Sequence, residues 1–248
     1  LEQLKPQAIA ARDFTCSKQL RKCIDSWRRH LPNYEFKEWN EDNFDLNIHP
    51  LIIKMYSRKE YAFASDLVRL YVLKHEGGIY LDTDIEIKKN LDCFLDTKMF
   101  MGFMHDCALS TSILGSVANN YIIDDLINIY HSLVNKNAII NNTIFTNYFL
   151  NAFPEFRLSN RKQIIGDNIH ILPKEYFEVP TFDYKMGYCR HHATRLWDSN
   201  NIRRSPIKRI VNAIICDVFY YKLVHYKCLK NNEFYPVYKQ HMIQDRIR

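Results

Sequence analysis

Two carboxylates placed two residues apart, Asp82 and Asp84, are the side chains of this 248-residue sequence best suited to holding a divalent cation. They follow two glycines at 77–78 and a short apolar stretch at 79–81 that predicts a buried strand. Carboxylate oxygens are ligands that Mn²⁺ and Mg²⁺ prefer. An Asp-x-Asp pair alone is common on solvated turns, but its place at a strand end indicates a metal site, in which the cation would neutralise a diphosphate leaving group.

Asp66 and Arg69 form a second candidate pair, because residues three positions apart lie on one face of a helix. Apolar residues at helical spacing predict a helix over residues 65–76, with Gly77 as the residue that ends it. A carboxylate and a guanidinium on one face could contact a sugar and a phosphate. Tyr80, in the strand that follows, is a further candidate for contact with such a ligand.

His191 and His192 are candidates for completing the metal site, since a neutral imidazole is a good ligand beside carboxylates. Neighbouring side chains in an extended segment point to opposite sides, so one of the two should face the site, and we expect His192. The alternative is that both are surface or core residues. Trp197 could stack against a ligand or pack nearby.

Strands and helices alternate along the chain, and this order predicts an α/β fold with a largely parallel sheet. The predicted strands cover residues 5–14, 34–39, 79–81, 99–104, 110–117 and 168–173. The predicted helices cover residues 17–31, 48–57, 65–76, 120–134 and 143–153.

The last part of the chain differs from the rest in charge. Residues 203–248 contain ten Lys or Arg and three Asp or Glu, whereas the net charge of the whole protein is +6. We therefore predict a catalytic domain over residues 1–198 and a basic, helical extension over residues 199–248. One face of the predicted tail helix is apolar and consists of Ile207, Ile210, Val211, Ile214, Val218 and Tyr221. The helix could pack on the domain or contact an anionic membrane.

The composition also indicates the cellular compartment of the protein. No apolar run is long enough to cross a bilayer, and residues 1–6 lack the pattern of a secretory signal. The seven cysteines are scattered and include no Cys-x-x-Cys pair, which favours reduced thiols. We expect a cytoplasmic protein, peripheral at the inner face of the cell membrane if its tail meets lipid.

Three segments resemble the family 32 glycosyltransferases, which include bacterial capsular-polysaccharide and lipopolysaccharide transferases and fungal mannosyltransferases. Residues 64–69 followed by 77–84 resemble the family's DXD sugar-binding region. Residues 23–44, with Cys-Ile-Asp-Ser-Trp and Glu-Trp-Asn-Glu-Asp-Asn-Phe, are similar to its opening helix, strand and turn. His191-His192 with Trp197 is similar to its His-His-Trp element, so the resemblance covers about residues 5–198.

This resemblance implies a GT-A fold with a Rossmann-like mixed sheet flanked by helices, a nucleotide-sugar donor, Mn²⁺ or Mg²⁺, and retention of anomeric configuration. Asp84 would be the direct metal ligand, and Asp82 would reach the ribose or the metal's water. Asp66 would bind sugar hydroxyls, Arg69 the sugar or a phosphate, and one histidine would complete the metal shell. UDP-sugars are favoured as donors and GDP-sugars are the alternative.

The function expected from the sequence is hexose transfer to a glycan or lipid-linked glycan acceptor in bacterial surface polysaccharide synthesis, with no nucleic-acid partner. A toxin-like transferase that modifies a host protein is an alternative. A third interpretation is a degenerate transferase that binds a glycan without catalysis. It is favoured by the atypical first strand, residues 5–15, and opposed by the intact Asp66, Arg69, Asp82 and Asp84.

Overall fold

The computed structural model of the protein describes residues 4–11, 18–134, 140–192 and 217–247. The strands of these residues are β1 Gln7–Ala11, β2 Glu35–Trp39, β3 Gly78–Leu81, β4 Ile85–Ile87, β5 Met99–His105, β6 Ala108–Ser116, β7 Gln163–Ile165, β8 Ile169–Leu172 and β9 Cys189–His191. The α-helices are α1 Lys18–His30, α2 Pro50–Ser57, α3 Tyr61–Glu76, α4 Tyr121–Ser132, α5 Asn141–Ala152, α6 Lys174–Phe177, α7 Asp217–Lys230 and α8 Tyr235–Ile247. This element order confirms the predicted α/β class.

The main sheet has seven strands in the order β2-β1-β3-β6-β5-β8-β7. Three neighbouring pairs are parallel (β1 with β2, β1 with β3, β5 with β8), and the other three are antiparallel. The prediction of a largely parallel sheet is therefore wrong, and the mixed sheet implied by the family resemblance is right. The physical reason is the short connection between His105 and Ala108, which pair directly, because such a hairpin joins only antiparallel strands.

A separate two-stranded sheet brings distant parts of the chain together. In it β4 pairs antiparallel with β9, and Ile85 lies opposite His191. Because Asp84 immediately precedes β4, this register places the end of β9 beside the carboxylate pair that follows β3. The pairing joins segments about a hundred residues apart, which no local pattern in the sequence predicts.

Helix α3 fixes the position of Asp66 and Arg69 relative to β3. It begins at Tyr61, four residues before the predicted start, and packs Leu67, Leu70 and Leu73 into the core. It ends at Gly77, whose φ of +67° and close approach to the backbone of Ala118 (2.7 Å from an ideal Cβ to the amide nitrogen) exclude any larger residue. The turn at Gly77 therefore leads the chain directly from the helix into β3.

The described part of the tail packs against the domain. Phe234, between α7 and α8, is buried in the main core, and Leu229, Val237 and Tyr238 pack around it. The domain boundary predicted at 198/199 and most of the predicted amphipathic face, Ile207 to Ile214, lie outside the described residues. Among the helices that are described, none is both long and apolar enough to span a membrane.

Candidate functional site

The three predicted metal-binding side chains that meet are Asp82, Asp84 and His191. One ligand atom from each lies within 4.8 Å of the other two. The turn after β3 holds the two carboxylates, because the amide of Asp82 donates to the Ser112 carbonyl (2.8 Å) and the amide of Ile85 donates to the Asp82 carbonyl (2.9 Å). Two carboxylate oxygens and an imidazole nitrogen form a donor set that suits Mn²⁺ and accommodates Mg²⁺ through its oxygens. The residues present therefore fit the cation that the sequence predicts.

Arg69 lies at the centre of a buried polar cluster next to these carboxylates. Its Nη2 donates to Asp66 Oδ1 (2.7 Å), and its Nη1 donates to the carbonyl oxygen of Thr111 (2.6 Å). The same Nη1 lies 3.4 Å from Asp82 Oδ1. The guanidinium stacks on the Tyr80 ring, 4.4 Å from its centroid, and the Tyr80 hydroxyl donates to Asp82 Oδ1 (3.0 Å).

Arg69 and Tyr80 are too buried for the direct ligand contacts expected of them. Arg69 is 4% exposed and Tyr80 is 3% exposed, because both pack between α3 and the sheet. Their polar atoms are turned towards Asp66 and Asp82, which are more accessible. The structure therefore favours a positioning role for Arg69 and Tyr80: they hold the two carboxylates, and the carboxylates face the ligand.

Asp66 is supported from a second side by residues that the sequence analysis missed. The Asn141 amide donates to Asp66 Oδ1 (3.1 Å) and to the Thr111 hydroxyl (3.1 Å), while the Tyr130 hydroxyl donates to Asn141 Oδ1 (2.7 Å). Burial raises the pKa of Asp66 to about 6, although Arg69 and Asn141 act in the opposite direction. Asn141 opens α5, and no pattern at that position distinguishes it from an ordinary polar residue near a helix start.

Glu178 is a further residue of the site that the sequence patterns did not indicate. It is buried, its Oε2 lies 2.8 Å from His191 Nδ1, and its Oε1 accepts hydrogen bonds from the hydroxyls of Ser110 and Ser112. Alternate residues of a strand share one face, so β6 presents both serines to Glu178 while Thr111 faces the Arg69 cluster. The other ring nitrogen, His191 Nε2, lies 3.2 Å from Asp84 Oδ1. Burial alone would lower the pKa of His191, but Glu178 and Asp84 raise it well above its usual range.

His192 points away from this cluster, so the expectation that it faces the metal site is corrected in favour of His191. Its Nε2 lies 2.9 Å from Glu86 Oε2, on the other side of the strand. Glu86 is buried; burial raises its pKa, but hydrogen bonds from Lys88 and His192 outweigh this and lower it to about 2. The expectation that only one of the two histidines reaches the site agrees with the geometry. Trp197 lies outside the described residues.

Comparison with known sequences agrees with this geometry. The family described as "Glycosyltransferase sugar-binding region containing DXD motif" matches residues 17–101, a span that includes Asp66, Arg69, Asp82 and Asp84. The uncharacterized glycosyltransferase L373 of Acanthamoeba polyphaga mimivirus is 30% identical over 170 residues, which cover 63% of this chain and 68% of the viral protein. The mannosyl phosphorylinositol ceramide synthase CSH1 of Saccharomyces cerevisiae is 30% identical over 100 residues, which cover 39% of this chain but only 26% of the yeast protein.

Comparison with solved structures identifies the fold. The PaToxG glycosyltransferase superimposes with a TM-score of 0.51 at 17% sequence identity, covering 62% of this chain and 71% of that one. The mixed sheet with its carboxylate pair at the end of a central strand is thus a GT-A-type arrangement. The fold and the family resemblance expected from the sequence are both confirmed.

Proposed function

This chain belongs to the glycosyltransferase family whose sugar-binding region contains the DXD motif, and from that premise we propose that it transfers a hexose from a nucleotide sugar with the help of a divalent cation. The observation that carries the proposal is the convergence of Asp82, Asp84 and His191 within 4.8 Å, directly beside the Asp66–Arg69 pair. Two independent chain segments supply this donor set, whereas a solvated Asp-x-Asp turn would offer the two carboxylates alone.

The side chains divide into those that hold the cation and those that hold the sugar. Asp82, Asp84 and His191 would hold Mn²⁺ or Mg²⁺, which when bound neutralises the charge that develops on a diphosphate leaving group. Asp66 is partly exposed and accepts hydrogen bonds from sugar hydroxyls. Arg69 and Asn141 fix the Asp66 carboxylate for this contact.

The donor and the stereochemistry are proposed from the family resemblance. We favour a UDP-sugar over a GDP-sugar, and retention over inversion of the anomeric configuration. The binding-only interpretation is disfavoured because Arg69 holds both Asp66 and Asp82, and Asp84 lies beside Asp82 and His191. The toxin-like interpretation, with a host protein as acceptor, is supported by the fold that this chain shares with PaToxG. No residue of the described site favours it.

The acceptor proposed here is a glycan linked to a lipid. Several relatives are named for reactions on phosphorylinositol ceramide lipids, which favours a lipid-anchored acceptor over a free glycan. The bacterial surface polysaccharide expected from the sequence stays a prediction, because the named relatives come from a virus and from yeasts. The localisation expected from the sequence, cytoplasmic and peripheral at the inner face of the cell membrane, is kept as part of the proposal.

A screen of nucleotide sugars for hydrolysis and transfer tests this function. Wild-type protein should turn over one UDP- or GDP-sugar with Mn²⁺ and lose the activity when the cation is chelated. Asp84→Asn should lose at least two orders of magnitude, since a missing ligand removes several kcal/mol of charge stabilisation. Asp42→Asn is the matched control: it makes the same change at an exposed carboxylate that is not part of the metal site, and it should retain activity. Unchanged turnover in Asp84→Asn, or turnover independent of any divalent cation, would refute the proposed metal site.

A further inference from the structure

One face of helix α7 is both apolar and exposed. Phe219 is 55% exposed, Leu223 65% and Tyr226 60%, and their spacing of three to four residues places them along one side of the helix. Val218, one residue before Phe219 and about 100° around the helix from it, is buried. A packed terminal helix needs one apolar stripe, and α7 has a second one that the described part of the domain does not cover.

Lysines alternate with these apolar residues. Lys222, Lys227 and Lys230 are exposed on the same side, and the single acidic residue of α7, Asp217, is paired with Arg190 (2.9 Å). Lys230 Nζ lies 4.5 Å from the centroid of the Tyr226 ring, so its ammonium group lies over the face of this aromatic side chain. We call this set of residues, 219, 222, 223, 226, 227 and 230, the outer face of α7.

A neighbouring loop extends the surface. Phe182 is 68% exposed and Tyr184 80% exposed, and the Phe182 ring lies 6.2 Å from that of Phe219. Phe182 thus extends the exposed apolar surface of α7, and Tyr184 is exposed two residues further along the same loop. Soluble proteins rarely expose contiguous apolar patches of this kind unless they bind something there.

The inner side of the same helix is attached to the elements that carry the site. His225 Nδ1 lies 3.3 Å from Nδ1 of His105, at the end of β5. Arg190, which pairs with Asp217 and lies over the Tyr221 ring, is adjacent in sequence to His191. Helix α7 is therefore attached by direct contacts to β5 and to β9, the strand that carries His191.

We infer that the outer face of α7, with Phe182 and Tyr184, docks on an anionic lipid bilayer and so brings the site to a lipid-linked acceptor. An interfacial helix places aromatic and aliphatic side chains at the boundary between headgroups and acyl chains, and its lysines extend to the anionic headgroups. The acceptor part of this inference rests on the proposed function; the docking itself does not. A lipid surface fits better than a nucleic acid because Leu223, the most exposed residue of the apolar stripe, offers nothing for bases to stack on or pair with.

Co-sedimentation of the full chain with vesicles tests the docking. Phosphatidylcholine vesicles with a fraction of phosphatidylserine should bind the protein, pure phosphatidylcholine vesicles should bind it much less, and added salt should release it. Lys222→Ala and Lys227→Ala should each weaken binding about fivefold, the effect of one basic residue near such a surface. Phe219→Ser with Leu223→Ser should weaken binding at least as much.

Matched controls come from the edge strand β7 and the residue before it, outside the outer face of α7. Ile164→Ser removes an apolar residue that is 59% exposed, and Lys162→Ala removes an exposed lysine; neither should change vesicle binding. Thermal unfolding of every variant checks that it is folded. Failure of the wild-type protein to bind anionic vesicles, or equal losses in the control variants, would overturn the inference.

Two further measurements separate this inference from the proposed function. Asp84→Asn should bind vesicles like the wild type while losing transfer, and the α7 variants should still hydrolyse the donor in solution. If the wild type instead self-associates and the Phe219→Ser, Leu223→Ser variant is monomeric, the occupant is a second copy of the chain and the lipid assignment is wrong. Binding to single-stranded oligonucleotides in preference to vesicles would contradict it as well.

Discussion

The buried Glu178 and the partly exposed His191 form a carboxylate–imidazole pair, with 2.8 Å between Glu178 Oε2 and His191 Nδ1. This contact turns Nε2 of the same ring towards Asp84, 3.2 Å away. A carboxylate behind a histidine ligand fixes the orientation and tautomer of the ring and increases its basicity. Glu178 is therefore a positioning residue for the proposed metal site, and it is held in turn by Ser110 and Ser112.

Replacing Glu178 by Gln should weaken Mn²⁺ binding by roughly tenfold to a hundredfold, as for other outer partners of histidine ligands. Isothermal titration with Mn²⁺ alone measures this without reference to catalysis. Glu175→Gln, three residues earlier and bonded to Asn160 instead of to His191, is the control and should bind Mn²⁺ normally. Equal affinities in Glu178→Gln and wild type would show that Glu178 does not act through His191.

The Arg69–Asp66 pair should contribute to stability, because removal of the buried guanidinium leaves the Asp66 carboxylate, whose side chain is 17% exposed, without its cation. Arg69→Ala should lower the free energy of unfolding by about 3–5 kcal/mol. The chain contains a matched pair at the same spacing, Arg28–Asp25, whose side chains are 71% and 65% exposed. Arg28→Ala should cost less than about 0.5 kcal/mol. Urea unfolding of both variants makes the comparison, and similar losses would contradict the positioning role of Arg69.

Asp66→Ala should affect recognition of the sugar more than recognition of the nucleotide. The Asp66 side chain is partly exposed, and a hydrogen bond to a charged group is worth about 2 kcal/mol, or some thirtyfold in affinity. The measurement compares binding of the intact nucleotide sugar with binding of the free nucleotide in the same variant, which serves as its own control. A parallel loss of affinity for both ligands would mean that Asp66 does not contact the sugar.

The parts of the site that the sequence predicts are those encoded locally. Asp82 and Asp84 follow an apolar strand, and Asp66 and Arg69 are one helical step apart, so spacing alone places each pair. Helices α1 to α5 and strands β1, β2, β3, β5, β6 and β8 follow from hydrophobic periodicity in the same way, whereas the short elements β4, β7, β9 and α6 were not predicted. These features depend on neighbours within a few residues, which a single sequence displays.

The features that were missed depend on strand pairing between distant segments. Glu178 meets the site because β9 pairs with β4 and because β6 turns Ser110 and Ser112 towards it. The choice of His191 over His192 depends on the same register, since shifting it by one residue would exchange the two side chains. The burial of Arg69 against Thr111 likewise follows from tertiary packing, and the spacing of residues in the sequence does not predict it.

Acid should destabilise the protein in part through His49, which is fully buried at the start of α2. Its Nδ1 accepts a hydrogen bond from the Leu51 amide (3.0 Å), and burial, with the nearby His131, lowers its pKa from 6.5 to about 4. The unfolded chain therefore binds more protons between these values, and the free energy of unfolding falls as the pH drops from about 6.5 to about 4.

His49→Asn should reduce this pH dependence, because an Asn side chain can accept the same hydrogen bond at a helix start but does not titrate. Urea unfolding at a series of pH values measures it. Ile53→Asn, at an exposed position of the same helix, is the control and should follow the wild-type pH dependence. A pH profile of His49→Asn identical to that of the wild type would exclude His49 as the cause.

Substitution of the two adjacent histidines should have different effects on the affinity for metal. His191 Nε2 lies beside Asp84, whereas His192 Nε2 is bonded to Glu86 on the other side of the strand. His191→Ala should therefore weaken Mn²⁺ binding at least as much as Glu178→Gln, while His192→Ala should leave it close to the wild-type value. Because the residues are neighbours in one extended segment, each variant controls for general disturbance caused by the other. A loss confined to His192→Ala would mean that β9 pairs with β4 in the alternative register in solution, and equal, negligible effects would remove histidine from the metal site.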